Sequence, residues 1–190
     1  MQLKVFLFHR VHPQRDLMWD PIDPLHFDYI IQKLSKQYSL VQFENFVMNG
    51  IAKKSDKPVA SVVFDDGYRD FIQYSLPVMQ KYNCPSSMYI VTDCIDQQLP
   101  PWTYILDEQL YHTQKLSLDL SNTMVAGLNK KFVFRNTEVR MEFGRQLKIR
   151  LKYLPNRLRI RICNRVTEQF NDVVISEKLM MTWDEIKQIQ

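Results

Sequence analysis

Two adjacent carboxylates, Asp65 and Asp66, stand at the end of an apolar run and just before Gly67 and Tyr68. Val59, Ala60, Val62, Val63 and Phe64 form that run after Pro58, the pattern of a strand covered on both faces. Two like charges at the end of such a strand are costly, because each raises the other's pKa and desolvation adds to it. A cation offsets this. A divalent metal on one acid leaves the other free as a base, and a turn beginning at Gly67 lets both side chains reach one pocket although strand neighbours point to opposite faces. Carboxyl ends of parallel strands are also where α/β folds place their active sites. The plainer alternative is that the pair caps a helix starting near Tyr68, since Asp favours helix N-termini and Asp-Gly favours turns.

The elements that must position the pair follow from the pattern around it. Lys4 to Phe8 reads as a buried first strand, and Asp23-Pro24 opens an amphipathic helix to Tyr38 with Phe27, Ile30, Ile31 and Leu34 on one face. Leu40 and Val41 form a brief second strand; Phe43, Phe46 and Val47 lie on a short helix that Gly50 can end. The strand to Phe64 comes next, followed by a helix from Tyr68 whose regularity Pro77 limits, and then a covered strand from Pro85 to Val91. This alternation predicts parallel strands and an α/β architecture.

Beyond Pro100-Pro101, Trp102 to His112 reads as a helix, and Lys115–Leu120 with Lys131–Phe134 as an inserted hairpin. Val139, Phe143, Leu147, Leu151 and Leu154 form a helical stripe that Pro155 breaks. Arg157 to Ile162 alternates with period two, which permits a strand, but its place after the proline favours a helix. Thr182-Trp183-Asp184-Glu185 fits a capping box, and the sequence ends at Gln190 barely two turns later, which reads as an interrupted helix.

Length and composition bound the rest. At 190 residues, 45% hydrophobic and 24% charged, the chain is long enough for one sizeable core and unlike a disordered or fibrous protein. Cys84, Cys94 and Cys163 are odd in number and far apart, which fits reduced structural thiols better than a disulfide framework or zinc knuckle. The apolar N-terminal run stops at His9 and Arg10, short of the roughly 7–15 residues of a secretory signal and the about 20 of a membrane span, so a cytoplasmic chain with no membrane span is expected. The net charge of +4 owes much to Arg145, Lys148, Arg150, Lys152, Arg157, Arg159, Arg161 and Arg165. Tyr153 is the one ring among them, so a solvated helix face is expected and no nucleic acid, with a membrane or acidic-glycan surface as the weaker reading.

Five ordered segments together resemble the polysaccharide deacetylases, the NodB-like carbohydrate esterases. Phe64-Asp65-Asp66-Gly67-Tyr68 resembles the family's first motif and Leu7-Phe8-His9-Arg10-Val11 its first strand. Cys84 to Val91 is similar to its P-A-T-F-F-V strand, Pro101-Trp102 to a tryptophan-bearing segment, and Leu179 to Ile186 to its L-M-T-W-D helix entry. The resemblance implies a partial distorted (β/α) barrel with parallel strands and an inserted hairpin and helical segment. It implies residues 1–190 as a single incomplete domain, with a strand-helix core at 1–100, insert and helices at 101–181, and the start of an interrupted helix at 182–190.

The same resemblance implies the chemistry. Asp65 would be the base and Asp66 the ligand of a divalent metal, zinc as a rule, in a hydrolase that removes acetyl groups from N- or O-acetylated sugars. His9, Tyr68 and Trp102 are candidate substrate-binding residues, with core packing as the plainer reading for the rings. One family feature is missing. The second motif, H-[S/T]-x-x-x-H, supplies two histidine ligands, whereas His9, His12, His26 and His112 include no pair at that spacing. The metal is therefore expected of the complete family domain and not necessarily of this chain. The alternative is an inactive or carbohydrate-binding relative, and the open edge of a half-barrel would favour self-association.

Overall fold

The computed structural model describes residues 2–15, 18–49, 56–175 and 178–189. Two compact units divide the chain, one of Met1–Leu99 with Glu177–Gln190 and one of Pro100–Ser176.

In the first unit, four parallel strands share one sheet: β1 (Leu3–Phe8), β2 (Ser39–Leu40), β3 (Val59–Asp66) and β4 (Ser86–Ile90). β3 is central. β1 pairs with its whole apolar length, from Leu3 beside Val59 to Phe8 beside Phe64, while β2 and then β4 take its other side. Six consecutive buried residues, Val59 to Phe64, are the continuous apolar run of the sequence realised as a strand covered on both faces. Among the described residues the sheet stays open and does not close into a barrel.

The connecting helices bury one face of this sheet. α1 (Pro24–Gln37) is capped by Asp23, whose carboxylate accepts from the backbone N–H groups of Leu25 and His26 at 2.8 and 3.2 Å. Its Phe27, Ile31 and Leu34 pack with Phe8, Val62, Phe64 and Met79 in the core. α2 (Phe43–Asn49) is the short helix expected there; the stop assigned to Gly50 lies outside the described residues. The sequence predicts a buried first strand, and here the structure differs. Val5 and Leu7 are 47% and 52% exposed, because the helix-covered face of β1 is that of Phe6 and Phe8 and the alternate residues point away from it.

The helix expected from Tyr68 starts later and in another form. A π-helical turn spans Phe71–Ser75, closed by the Leu76 N–H on the Phe71 carbonyl, and α3 (Leu76–Lys81) follows. Pro77 has no N–H to give to the preceding turn, so the wide turn falls where the i→i−4 ladder is already broken. After β4, a six-residue helix not expected from the sequence, α4 (Thr92–Gln97), buries only Ile95. Residues 179–181 then return beside the Asp-Asp-Gly turn: the Arg69 N–H donates to the Leu179 carbonyl at 2.8 Å, and the Met181 N–H to the Gly67 carbonyl at 3.0 Å. The capping box of Thr182 and Glu185 is present and starts a last helix, Trp183–Gln188.

The second unit contains α5 (Trp102–His112), the antiparallel hairpin β5 (Ser117–Asp119) with β6 (Lys131–Val133), α6 (Thr137–Lys152) and α7 (Asn156–Gln169). The run after Pro155 is thus helical. Leu106, Leu110, Leu118, Phe134, Leu147, Leu151, Ile162 and Val166 form its core. Arg140, although basic, is buried and donates to the carbonyls of Leu110, Tyr111 and Lys115, which ends α5 without a glycine cap. Gly144 of α6 lies so close to α5 that a Cβ there would stand 2.7 Å from Leu110 Cδ1. Replacing Gly144 by Val is expected to lower stability by about 1–3 kcal/mol through overpacking, read from the urea midpoint.

Candidate active site

β3 delivers the acid pair at its C-terminal end, but the alternation of strand side chains fails one residue earlier than the sequence predicts. Asp66 itself has φ 73°, and Gly67 follows at φ 85°. Aspartate is among the few residues that tolerate this region. The two carboxylates therefore need not point to opposite faces. At Gly67 a Cβ would come within 3.1 Å of Ile90 Cγ2 and 3.2 Å of Ile95 Cδ1. Gly67→Ala is expected to cost about 1–3 kcal/mol, from the positive φ and this crowding together; an unchanged thermal midpoint would show that the turn relaxes freely.

Parallel register brings neighbours to the pair from both sides. Phe8 stands beside Phe64, so His9 continues beside Asp65, and its Nε2 lies 4.0 Å from Asp65 Oδ2. Both side chains are about one-third exposed, at 35% and 34%. On the other side Tyr89 faces Asp65 and Ile90 faces Asp66. Tyr89 is raised above its ordinary pKa by desolvation first, then by a hydrogen bond to Glu44, and also by the Asp65 charge. The Ser87 hydroxyl also donates to Glu44. Tyr89 and Glu44 were not singled out from sequence; counting the register of a parallel neighbour of β3 would have found Tyr89.

Burial holds Asp66 above the usual carboxylate range, with Asp65 adding to the rise and His9 opposing it. The Cys94 thiol is pushed up to about 11, by burial first and by Asp66 and Asp93 after it, so it is a poor thiolate donor. The half-buried, disfavoured charge of Asp66 is what a bound cation would relieve. Yet zinc needs about three protein ligands. Among the described residues no three His, Cys, Asp or Glu side chains gather where they could hold a metal ion. The donor set present does not fit a complete zinc site.

The three candidate substrate residues fall in different surroundings. His9 is at the acid pair, with the Trp19 ring edge-on to it at 5.1 Å. Tyr68 is only 1% exposed; Arg10 lies over its ring at 5.1 Å and Trp19 at 5.9 Å. Its ring is a core element, and the exposed ring beside His9 is Trp19. Trp102 begins α5 and packs against the core of the second unit, with Arg159 over its ring at 5.3 Å. A buried ion pair was not legible in the sequence: Arg10 Nε meets Asp70 Oδ2 at 2.8 Å, and both border a cleft of about 400 Å³ with His12, Arg69, Lys178 and Glu185.

Residues 52–125 match the family model described as polysaccharide deacetylase. No curated protein matches the sequence. Among solved structures, the Streptococcus pyogenes deacetylase PplD, solved in complex with acetate, is 20% identical with a TM-score of 0.41, over 50% of this chain and 45% of that one. A de-N-acetylase from Aggregatibacter actinomycetemcomitans is 21% identical with a TM-score of 0.41, over 50% and 39%. IcaB from Ammonifex degensii is 15% identical with a TM-score of 0.42, over 98% and 94%. This chain spans less than half the length of the first two. The segment 52–125, which carries the Asp65-Asp66 turn, is similar to the polysaccharide deacetylase family, consistent with a partial domain of that kind.

Proposed function

We propose that the site serves hydrolytic removal of acetyl groups from N- or O-acetylated sugars of a polysaccharide, with Asp65 as the general base. The observation that carries this reading is the acid pair on an open turn at the C-terminal end of β3, inside the segment matched by the deacetylase family. Asp65 keeps a partly solvated carboxylate within reach of a substrate and of water. In the reaction the water oxygen bonds to the acetyl carbon as Asp65 takes its proton. The C–N or C–O bond then breaks, the sugar amine or hydroxyl takes a proton, and acetate leaves. His9, 4.0 Å from Asp65, and Trp19 beside it border the place where the sugar would lie.

Asp66 is assigned a ligand's place in a divalent metal site, zinc by resemblance, that residues other than those described would have to complete. On the same reading, residues 1–190 belong to one deacetylase-like domain in which the second unit is an insertion. The rival reading is an inactive or carbohydrate-binding relative. Acetate release from N-acetylglucosamine oligomers, with zinc measured by elemental analysis, separates the two. Release above buffer is expected. Absence of both acetate and stoichiometric zinc, with retained binding to the oligomers, would establish the rival.

A further inference from the structure

The basic residues between Arg145 and Arg165 do not act as one surface. Arg145 bonds Glu142 at 2.8 Å, Lys148 bonds Asp107 at 2.5 Å, and Arg150 donates to the Ala126 carbonyl at 2.5 Å. Arg159 donates to the Asn156 side chain and covers the Trp102 ring. Two are left over. Arg157 and Arg161 are exposed on α7 and make no hydrogen bond or ion pair among the described residues.

With Arg165 these two recur every four residues, so three guanidiniums stand in a row covering about 12 Å of helix axis. Like charges at this spacing repel one another. Packing does not require them, because the parallel row of Leu158, Ile162 and Val166 supplies the buried face of α7. Only Arg165 is answered within the helix, by Glu168 at 3.3 Å.

The row borders a cleft of about 460 Å³, within the usual range of small-molecule sites, formed between α7 and the turn after β5. Three guanidiniums against the single carboxylate of Glu168 select an anion. A guanidinium fork matches phosphate oxygens two at a time. Asn122 and Asn164, also on the lining and exposed, offer amides that both donate and accept, as neighbouring sugar hydroxyls require. Among the described residues no aromatic ring lines the cleft for base stacking, and Ile160 is too little apolar surface to enter a lipid interface.

The geometry points to a binding site for the phosphate-bearing end of a sugar, with Arg157 and Arg161 gripping the phosphate and Asn122 and Asn164 reading the hydroxyls. This site is independent of the acetyl chemistry assigned to the first unit. Titration calorimetry of the whole chain with glucose 6-phosphate, inorganic phosphate and glucose tests it. Glucose 6-phosphate should bind about tenfold or more tighter than either, and R157Q/R161Q should lose about tenfold or more of that affinity.

Both arginines are exposed and unbonded, so the variant keeps its fold, which circular dichroism verifies. R157K/R161K keeps the charge without the fork and should stay weakened. A second variant works from the other end: Asn164→Ala should weaken glucose 6-phosphate and leave inorganic phosphate unchanged. Equal binding of glucose 6-phosphate and inorganic phosphate, or full affinity in R157Q/R161Q, would overturn the proposal. So would tighter binding of single-stranded RNA or phosphatidylserine vesicles through the same arginines.

Discussion

Replacing Arg10 by Ala should cost about 3–5 kcal/mol of stability at neutral pH, the expected loss when one partner of a buried ion pair is removed. Arg10 and Asp70 are both more than nine-tenths buried, 2.8 Å apart, and Arg10 also covers the Tyr68 ring. Desolvation holds Asp70 above its ordinary pKa, more than Arg10, His12 and the Val11 backbone pull it down. A carboxyl raised by folding contributes stability that is present below its unfolded pKa and lost as pH rises through its folded value. Without Arg10 that folded value rises further. The deficit of Arg10→Ala should therefore shrink as pH falls towards the unfolded carboxylate range, because a neutral Asp70 needs no partner. Urea unfolding of wild type and variant at neutral and acid pH measures this, and a deficit equal at both would show that lost packing, not an orphaned charge, is the cause. Arg10→Met with Asp70→Leu should recover much of the loss, since apolar residues of similar volume can replace a buried pair.

That ion pair marks the limit of what the sequence makes legible. The capped helices, the central strand and the hairpin could be read because their signals are local: Asp23 before Pro24, an unbroken apolar run to Phe64, Thr182 three residues before Glu185. The exposed face of β1 could not, because a short apolar run looks alike whether both faces are covered or only that of Phe6 and Phe8. α4 carries one buried side chain and no capping residue, so it leaves no stripe to detect. The π turn is a compromise between Pro77 and the packing of Phe71, which no periodicity encodes. At the candidate site, Asp65 and Asp66 were visible as chemistry because their cost is local. The approach of His9 depends on how β1 registers against a strand more than fifty residues away, and Arg10 with Asp70 depends on the same pairing.

Asp65→Asn should lower acetate release by about 10²–10⁴-fold, the usual contribution of a positioned general base, with KM little changed. Asparagine keeps the shape and a hydrogen-bonding oxygen but takes no proton at working pH. Because Asp65 is one-third exposed and His9 is 4.0 Å away, the substitution leaves no buried donor or acceptor orphaned, and stability should stay within about 0.5 kcal/mol of wild type. The partner substitution separates base from ligand. Where further ligands complete a metal site around Asp66, Asp66→Asn should lower bound metal together with activity, and Asp65→Asn should lower activity at unchanged metal content. Exchange of these two phenotypes would reverse the assigned roles. Loss of stability in both variants with no separate effect on turnover would mean that the pair only shapes the turn between β3 and the segment that returns at Met181, where the Gly67 carbonyl is already held at 3.0 Å.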